Sequence, residues 1–310
     1  MGSVNVETLI RSEYADAVDA RLASFDTYVE YQLREARRAL PFLAKFFPLH
    51  NARVLDIGAG RGGKSIAYAQ AGMQITAMDV DRSSLKVAAD SARKHGAQID
   101  FLVADGAVLP LPANHFDAIL LDSVIEHTRD PRAIMVECWR VLKTNGIVFV
   151  VFPPYYGPLS GHIDDYVMIP WLHLLPKKYV ERYLLTRPSQ PGILTPRDAF
   201  EVYLTLNRLS IFHFRQFAQR AGFQFAYERA RPFLTHPGMR LAAGLLATLR
   251  HPSVANLRGV LARARREFSF GTFVLFLLLS FISPFVFVPL LQEIAAGAYK
   301  AVLRKSEPSQ

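Results

Sequence analysis

VLDIGAGRGGKS, residues 54–65, is an apolar run that ends on an acid and breaks into glycines before a helix-forming segment. Gly58, Gly60 and Gly63 satisfy G-x-G-x-x-G, a strand-to-helix turn whose bare backbone lets a nucleotide-like ligand approach closely. Asp79 closes the next apolar run, where an acid can accept hydrogen bonds from ribose hydroxyls. The glycines and Asp79 alone serve a nicotinamide dinucleotide as well as a smaller nucleoside.

Outward from this turn, short apolar runs at 52–57, 73–79, 99–104, 116–122 and 146–152 alternate with amphipathic stretches near 62–71, 83–95 and 130–142. Gly72, Gly96 and Gly146 are the expected helix stops. Asp130 and Pro131 mark the N-cap and first residue of the third helix. Strand, helix, strand at this spacing predicts an α/β, Rossmann-like doubly wound, mostly parallel sheet with its ligand at the carboxyl ends of the strands. A helical N-terminal lid over 1–50 precedes the core at 51–152. Residues 153–209, with eight prolines before residue 208, form an inserted substrate lid. Residues 210–235 return to the sheet with a helix capped by Ser210 and a strand near 223–230. Residues 236–310 are expected to be a C-terminal apolar helical region.

Four segments in order, VLDIGAGRG, MDVD, VADGAVLPLPANHFDAILLDSVIEH and VLKTNGIVFV, resemble the class I S-adenosylmethionine-dependent methyltransferases, in particular the branch containing quinone-biosynthesis enzymes. The resemblance spans about residues 50–153 and implies a seven-stranded sheet and S-adenosyl-L-methionine as cofactor. It also implies that Asp56 lies near the methionine ammonium, with Gly58, Ala59 and Gly60 forming the turn. Asp79 would then take the ribose diol, Val80 an adenine face, and Asp105 and Gly106 the adenine edge. Asp122 and Ser123 would face the methionine part and the methyl. Such a ligand carries a sulfonium and an ammonium but no phosphate, which suits a site rich in acids. Arg61 and Lys64 sit oddly beside a cation and are expected to point outward or to meet the ligand carboxylate.

Acceptor-side candidates come from the loop after the fourth strand and from the insertion. Histidine has an unperturbed pKa near ~6.5 and suits general-base work. His162, beside Gly161, is the first candidate, with His127 and Asp164 as further catalytic candidates. Tyr155, Tyr156, Trp171 and His173 are candidate walls of the acceptor pocket. His162, Asp164 and His173 match no compact metal-ligand spacing, and no metal is expected.

Lys and Arg total 36 against 27 Asp and Glu, a net charge of +9, which favours an anionic partner. An uncharged stretch from Phe268 to Gln292 is broken by Ser283-Pro284 and flanked by Arg258, Arg263, Arg265 and Arg266 before it and Lys300, Arg304 and Lys305 after it. This pattern favours a kinked segment seated in one leaflet over a full span or burial in protein. No basic stretch is interleaved with stacking aromatics, so nucleic acid is not an expected partner. The single cysteine, Cys138, excludes an intrachain disulfide. The N-terminal residues lack a signal-peptide pattern, so the expected location is cytoplasmic, peripheral or monotopic at the inner face of a membrane.

The leading expectation is a methyltransferase acting on an amphipathic or lipid-linked acceptor, with oxygen as the first-choice atom, then carbon and nitrogen. Its rivals are a methyltransferase of a soluble metabolite or sugar, with the tail as a homodimer interface, an NAD(P)-dependent oxidoreductase, and a non-catalytic relative of the same fold.

Overall fold

The computed structural model describes residues 24–163, 167, 169–187, 195–232, 278, 282, 286 and 288–306. Seven strands form one sheet: β1 (Arg53–Ile57), β2 (Gln74–Asp79), β3 (Ile99–Val103), β4 (Phe116–Asp122), β5 (Leu142–Phe152), β6 (Phe223–Pro232) and β7 (Ala296–Lys305). Their order is β3-β2-β1-β4-β5-β7-β6. The first five pair in parallel, and β7 runs antiparallel between β5 and β6. The order reverses between β1 and β4, so the loops leaving these neighbours diverge and open a crevice at the carboxyl edge.

Among the described residues the helices are α1 (Phe25–Leu43), α2 (Gly63–Gln70), α3 (Arg82–Lys94), α4 (Pro131–Val141), α5 (Lys177–Leu185), α6 (Pro196–Leu204), α7 (Ile211–Arg220) and α8 (Pro289–Ala295). On one face, Val29 and Leu33 of α1 and Ile66 and Tyr68 of α2 pack with Val54, Leu120, Phe149 and Val302 of the sheet. On the other, Met135 and Cys138 of α4 and Phe214 and Ala218 of α7 pack with Leu55, Leu121, Val148 and Val150. The central strands are covered on both sides, which explains their unbroken apolar sequences.

Helix starts follow local chemistry. Ser24 and Thr27 form a capping box for α1, and the side chains of Asp81, Asp130 and Ser210 cap α3, α4 and α7. The α1 helix runs through Pro41 to Leu43, because a proline so near the end removes little of the ladder. Residues 13–23, expected to be helical, lie outside the described residues.

Three expectations need correction. Gly146 does not stop a helix: α4 ends at Val141, Leu142 is already extended, and Gly146 lies within β5. The insertion at 153–209, proline-rich and with little clear period in its sequence, nonetheless contains α5 and α6 around a small core of its own, including Ile163, Val167, Leu172, Val180, Leu184 and Phe200. Residues 296–305, expected within a helical tail, form β7. Tyr299, Ala301 and Leu303 fill one core and Val302 the other, so burial on two faces overrides the helix preference of Ala, Lys, Leu and Arg.

The strand directions set where the apolar segment is tethered. Pro232 and Ala296 are register partners, and β6 runs in the same direction as β5, so residues 233–295 leave and return at the carboxyl edge. Ile282 and Val286 pack into the α4–α7 core. Glu293 of α8 accepts hydrogen bonds from Ile211 N and Phe212 N at the start of α7, at 3.0 and 2.8 Å. Most of the apolar stretch at 268–292 lies outside the described residues. Among the described residues, no helix is long and apolar enough to cross a membrane.

Candidate functional site

Four strands deliver acids to the crevice. Gly58 and Gly60 adopt φ of +71° and +54°, a region that favours glycine, and Gly58 N and Ala59 N both donate to Met78 O at 2.7 and 2.9 Å. A Cβ on Gly58 would lie 2.5 Å from Val124 Cγ2, whereas one on Gly60 would meet no atom of the described residues within 4 Å. Asp79 holds the turn: Oδ2 accepts from Gly60 N at 2.8 Å and Oδ1 from Asp81 N at 2.9 Å. Each carboxylate oxygen keeps a second lone pair, so a diol can be accepted without dismantling the turn. Beside it Val80 is 69% exposed, an apolar side chain offered at a strand end. Asp105 Oδ1 accepts from Ala107 N at 2.9 Å. Gly106 lies close to the α4 packing: a Cβ there would come 2.7 Å from Ile134 Cδ1, the end of a side chain that would have to shift.

Asp56 is 5% exposed and accepts from Ser65 Oγ at 2.5 Å. Burial pushes its carboxyl up to about 6, against the opposing pull of Ser65 and Lys64. Lys64 does not point outward. Its Nζ lies 2.7 Å from Asp122 Oδ2, with 23% of its side chain exposed. Burial, the largest single influence, opposes its charge, but Asp122 with the smaller pulls of Tyr28 and Asp56 together hold the ammonium pKa above its ordinary value. The Arg61 guanidinium lies over the Tyr28 ring, 5.7 Å from its centroid. The exposed apolar side chain, the open space beside Gly60 and acids at four strand ends fit a cationic, phosphate-free nucleoside.

The acceptor side lies one loop further. Ser123 has φ +62° and donates its N–H to Val151 O at 2.8 Å. The following 3₁₀ turn, Ile125–His127, is pinned by Asn207 Nδ2, which donates to Ile125 O and Thr128 O at 2.7 and 2.8 Å. Glu126 is 2% exposed, and among the described residues neither carboxylate oxygen has a hydrogen-bond donor. Its Oε1 is 3.5 Å from His162 Nε2. His162 has φ +54°, and Trp171 and Arg208 nearby in the chain's lid have φ +60° and +59°. Left-handed backbone at non-glycine residues is costly and gathers where function over-determines it.

The His127 ring lies 4.8 Å from that of His162, and its Nδ1 is 2.6 Å from Thr205 Oγ1. Burial, then the neighbouring His162, lowers the His127 pKa to about 3. His173 is buried, with Nε2 2.7 Å from Tyr155 O, so it braces the wall from behind. The Tyr155 and Tyr156 rings meet edge to face at 5.4 Å, the Arg208 guanidinium lies over Tyr155 at 5.9 Å, and Trp171 Nε1 donates to Tyr156 O at 3.1 Å. Asp164 lies outside the described residues. Among the described residues, Glu126, His127 and His162 bring one potential metal-ligand atom each within 4.8 Å of one another.

The sequence singled out neither Asn207 nor Thr205, which carry no local signal. Glu126 had one, its place beside His127, but only its burial gives it weight.

This sheet order, with acids at the carboxyl ends of four neighbouring strands, is the arrangement of S-adenosylmethionine-dependent methyltransferase cores. Residues 55–150 match the methyltransferase domain family, and the chain carries a domain of that family. It is 33% identical over 118 residues to the demethylmenaquinone methyltransferase of Renibacterium salmoninarum, covering 37% of this chain and 48% of that protein. It is 37% identical over 159 residues to a ubiquinone biosynthesis O-methyltransferase of Idiomarina loihiensis, covering 49% of this chain and 63% of that protein. The chain thus spans about half the length of such curated relatives. A putative sarcosine dimethylglycine methyltransferase from Galdieria sulphuraria superposes with a TM-score of 0.52 at 18% identity, covering 88% of this chain and 86% of that one. At that identity the likeness concerns the fold alone.

Proposed function

We propose that this chain transfers the methyl group of S-adenosylmethionine to an oxygen of an amphipathic or lipid-linked acceptor at the cytoplasmic face of a membrane. The bound cofactor supplies an electrophilic methyl on a sulfonium. Asp79, Val80, Gly60, Asp105 and Gly106 hold the nucleoside, while Asp122 and Ser123 flank the methionine end. Methyl transfer is an in-line displacement, so the protein's chief contribution is alignment.

The observation that carries the reading is the buried Glu126 carboxylate 3.5 Å from His162 Nε2. His162 takes the acceptor hydroxyl proton, and the Glu126 charge stabilises the imidazolium that results. His127, with a conjugate acid near 3, is too weak a base for a hydroxyl and frames the loop instead. Tyr155, Tyr156 and Trp171 wall the acceptor, and the lid excludes water.

Three features support an acceptor held in lipid. The relatives' names concern quinone methylation. The lid exposes Leu174, Leu175, Tyr179 and Leu185 among Lys177, Lys178 and Arg182. The uncharged stretch at 268–292 is tethered to the same sheet edge. The test is incubation of the full chain with radiolabelled S-adenosylmethionine and anionic vesicles carrying a polyprenylated catechol, followed by lipid extraction. Label in the lipid is expected, and an unlabelled lipid phase would overturn the reading.

The packing of Ile282 and Val286 into the protein core favours a second reading, in which the apolar stretch folds onto the protein or a second copy and the acceptor is soluble. Vesicle flotation separates the two, because a chain that stays at the bottom of the gradient supports the second.

A further inference from the structure

We infer that Lys64 is the receptor for the carboxylate of the cofactor's methionine moiety, held at its post by Asp122. The inference rests on the cofactor reading above and assigns a residue that the acidic pattern leaves unexplained. The ligand carries two cations and one anion. Asp56 and Asp122 complement the cations, but the same acids repel the carboxylate unless a cation stands among them.

Two basic side chains come from the glycine turn and the first turn of α2. Arg61 is directed to the α1 side, over Tyr28, and its charge also feels Asp81 at the start of α3. Lys64 instead lies on Asp122, at the end of the strand that faces the methionine portion, and is close enough to Asp56 to pull on its titration. An ammonium has three donors, so the 2.7 Å bond to Asp122 leaves donors for a second anion. With 23% of its side chain exposed, Lys64 reaches the crevice surface while Asp122 fixes its position. The pair thereby selects the amino-acid tail of the ligand over an adenosine that ends in an amine alone.

The test compares two probes by calorimetric titration of the full chain: S-adenosylhomocysteine and its decarboxylated analogue, which keeps the amine and lacks only the carboxylate. The wild type is expected to prefer S-adenosylhomocysteine at least about tenfold. Lys64→Met should bring the two affinities within about twofold by weakening the carboxylate ligand alone, so the analogue serves as the folding control. Lys64→Arg should keep a preference. Lys64→Met/Asp122→Asn, which leaves no uncompensated carboxylate, should behave like Lys64→Met. A preference that survives Lys64→Met, that is absent from the wild type, or that is abolished instead by Arg61→Met overturns the inference. A wild type that binds neither probe overturns the cofactor reading itself.

Discussion

At the scale of single residues, the site depends on carboxylates whose environments differ. Asp79 is tied to two backbone N–H groups and offers its remaining lone pairs outward, so Asp79→Ala loosens the glycine turn and removes the diol acceptor together. With charged hydrogen bonds contributing roughly 1.5–3 kcal/mol each, S-adenosylhomocysteine affinity should fall about a hundredfold, read by equilibrium dialysis; unchanged affinity would refute the cradle. Asp56 behaves differently. Its carboxyl is raised from 3.8 to about 6, so folding favours its protonated form. That contribution is fully present below pH ~3.8 and disappears as pH rises through ~6, amounting to roughly 3 kcal/mol at ~1.4 kcal/mol per pH unit. Asp56→Asn should therefore flatten the pH dependence of the apo protein's Tm between pH 4 and 6.5, and an unaltered slope in a thermal melt series would exclude this assignment. The acids were readable from the sequence because each closes an apolar run. The Lys64–Asp122 pair was not, since its partners are 58 positions apart (122 − 64) and nothing local couples them.

At the scale of elements, β1, β2, β4, β5 and their crossover helices were readable because each buries apolar residues on one face or both and so imprints its pattern on the sequence, whereas the edge strand β3 has no fully buried residue and was readable from its apolar run alone. The lid helices buried too little to do so. Strand β7 was hidden by helix-favouring residues whose fate is decided by contacts with β5 and β6, both far away in the chain. The lid also carries the chemistry. Gly161 admits the close approach of His173, whose Cβ would lie 2.5 Å from a Cβ built there, and this packing presents the neighbouring His162. Gly161→Ala should lower kcat about tenfold or more without changing cofactor affinity. His162→Gln should lower it by about 10² to 10⁴, the range for loss of a general base, and should remove the acidic limb of the kcat profile. His127→Asn should leave that limb in place, because a group with a pKa near 3 stays neutral across the working range. An acidic limb that follows His127 instead would reverse the two roles.

At the scale of the whole molecule, the crevice, the lid with its exposed leucines and the two ends of 233–295 share one edge of the sheet. On the membrane reading proposed above, the net charge of +9 and an apolar segment tethered between β6 and β7 at that edge would bring the acceptor mouth to face an anionic bilayer. A truncation that removed residues 268–310 could not test this, because it would also delete β7 from the middle of the sheet and Glu293 from the start of α7. The informative variant replaces only residues 240–277 with a short Gly-Ser connection, keeping Ile282 and Val286 in the core and the β6–β7 pairing intact. Its Tm and cofactor affinity should match those of the full chain, whereas flotation with anionic vesicles should be lost and turnover of a vesicle-borne acceptor should fall by at least about tenfold. Raising salt should weaken flotation of the full chain, since the screening length shortens to about 3 Å at 1 M. If the shortened chain floated and turned over the vesicle-borne acceptor as well as the full one, the membrane seat would have to be assigned to the lid surface around Leu174, Leu175 and Tyr179 alone.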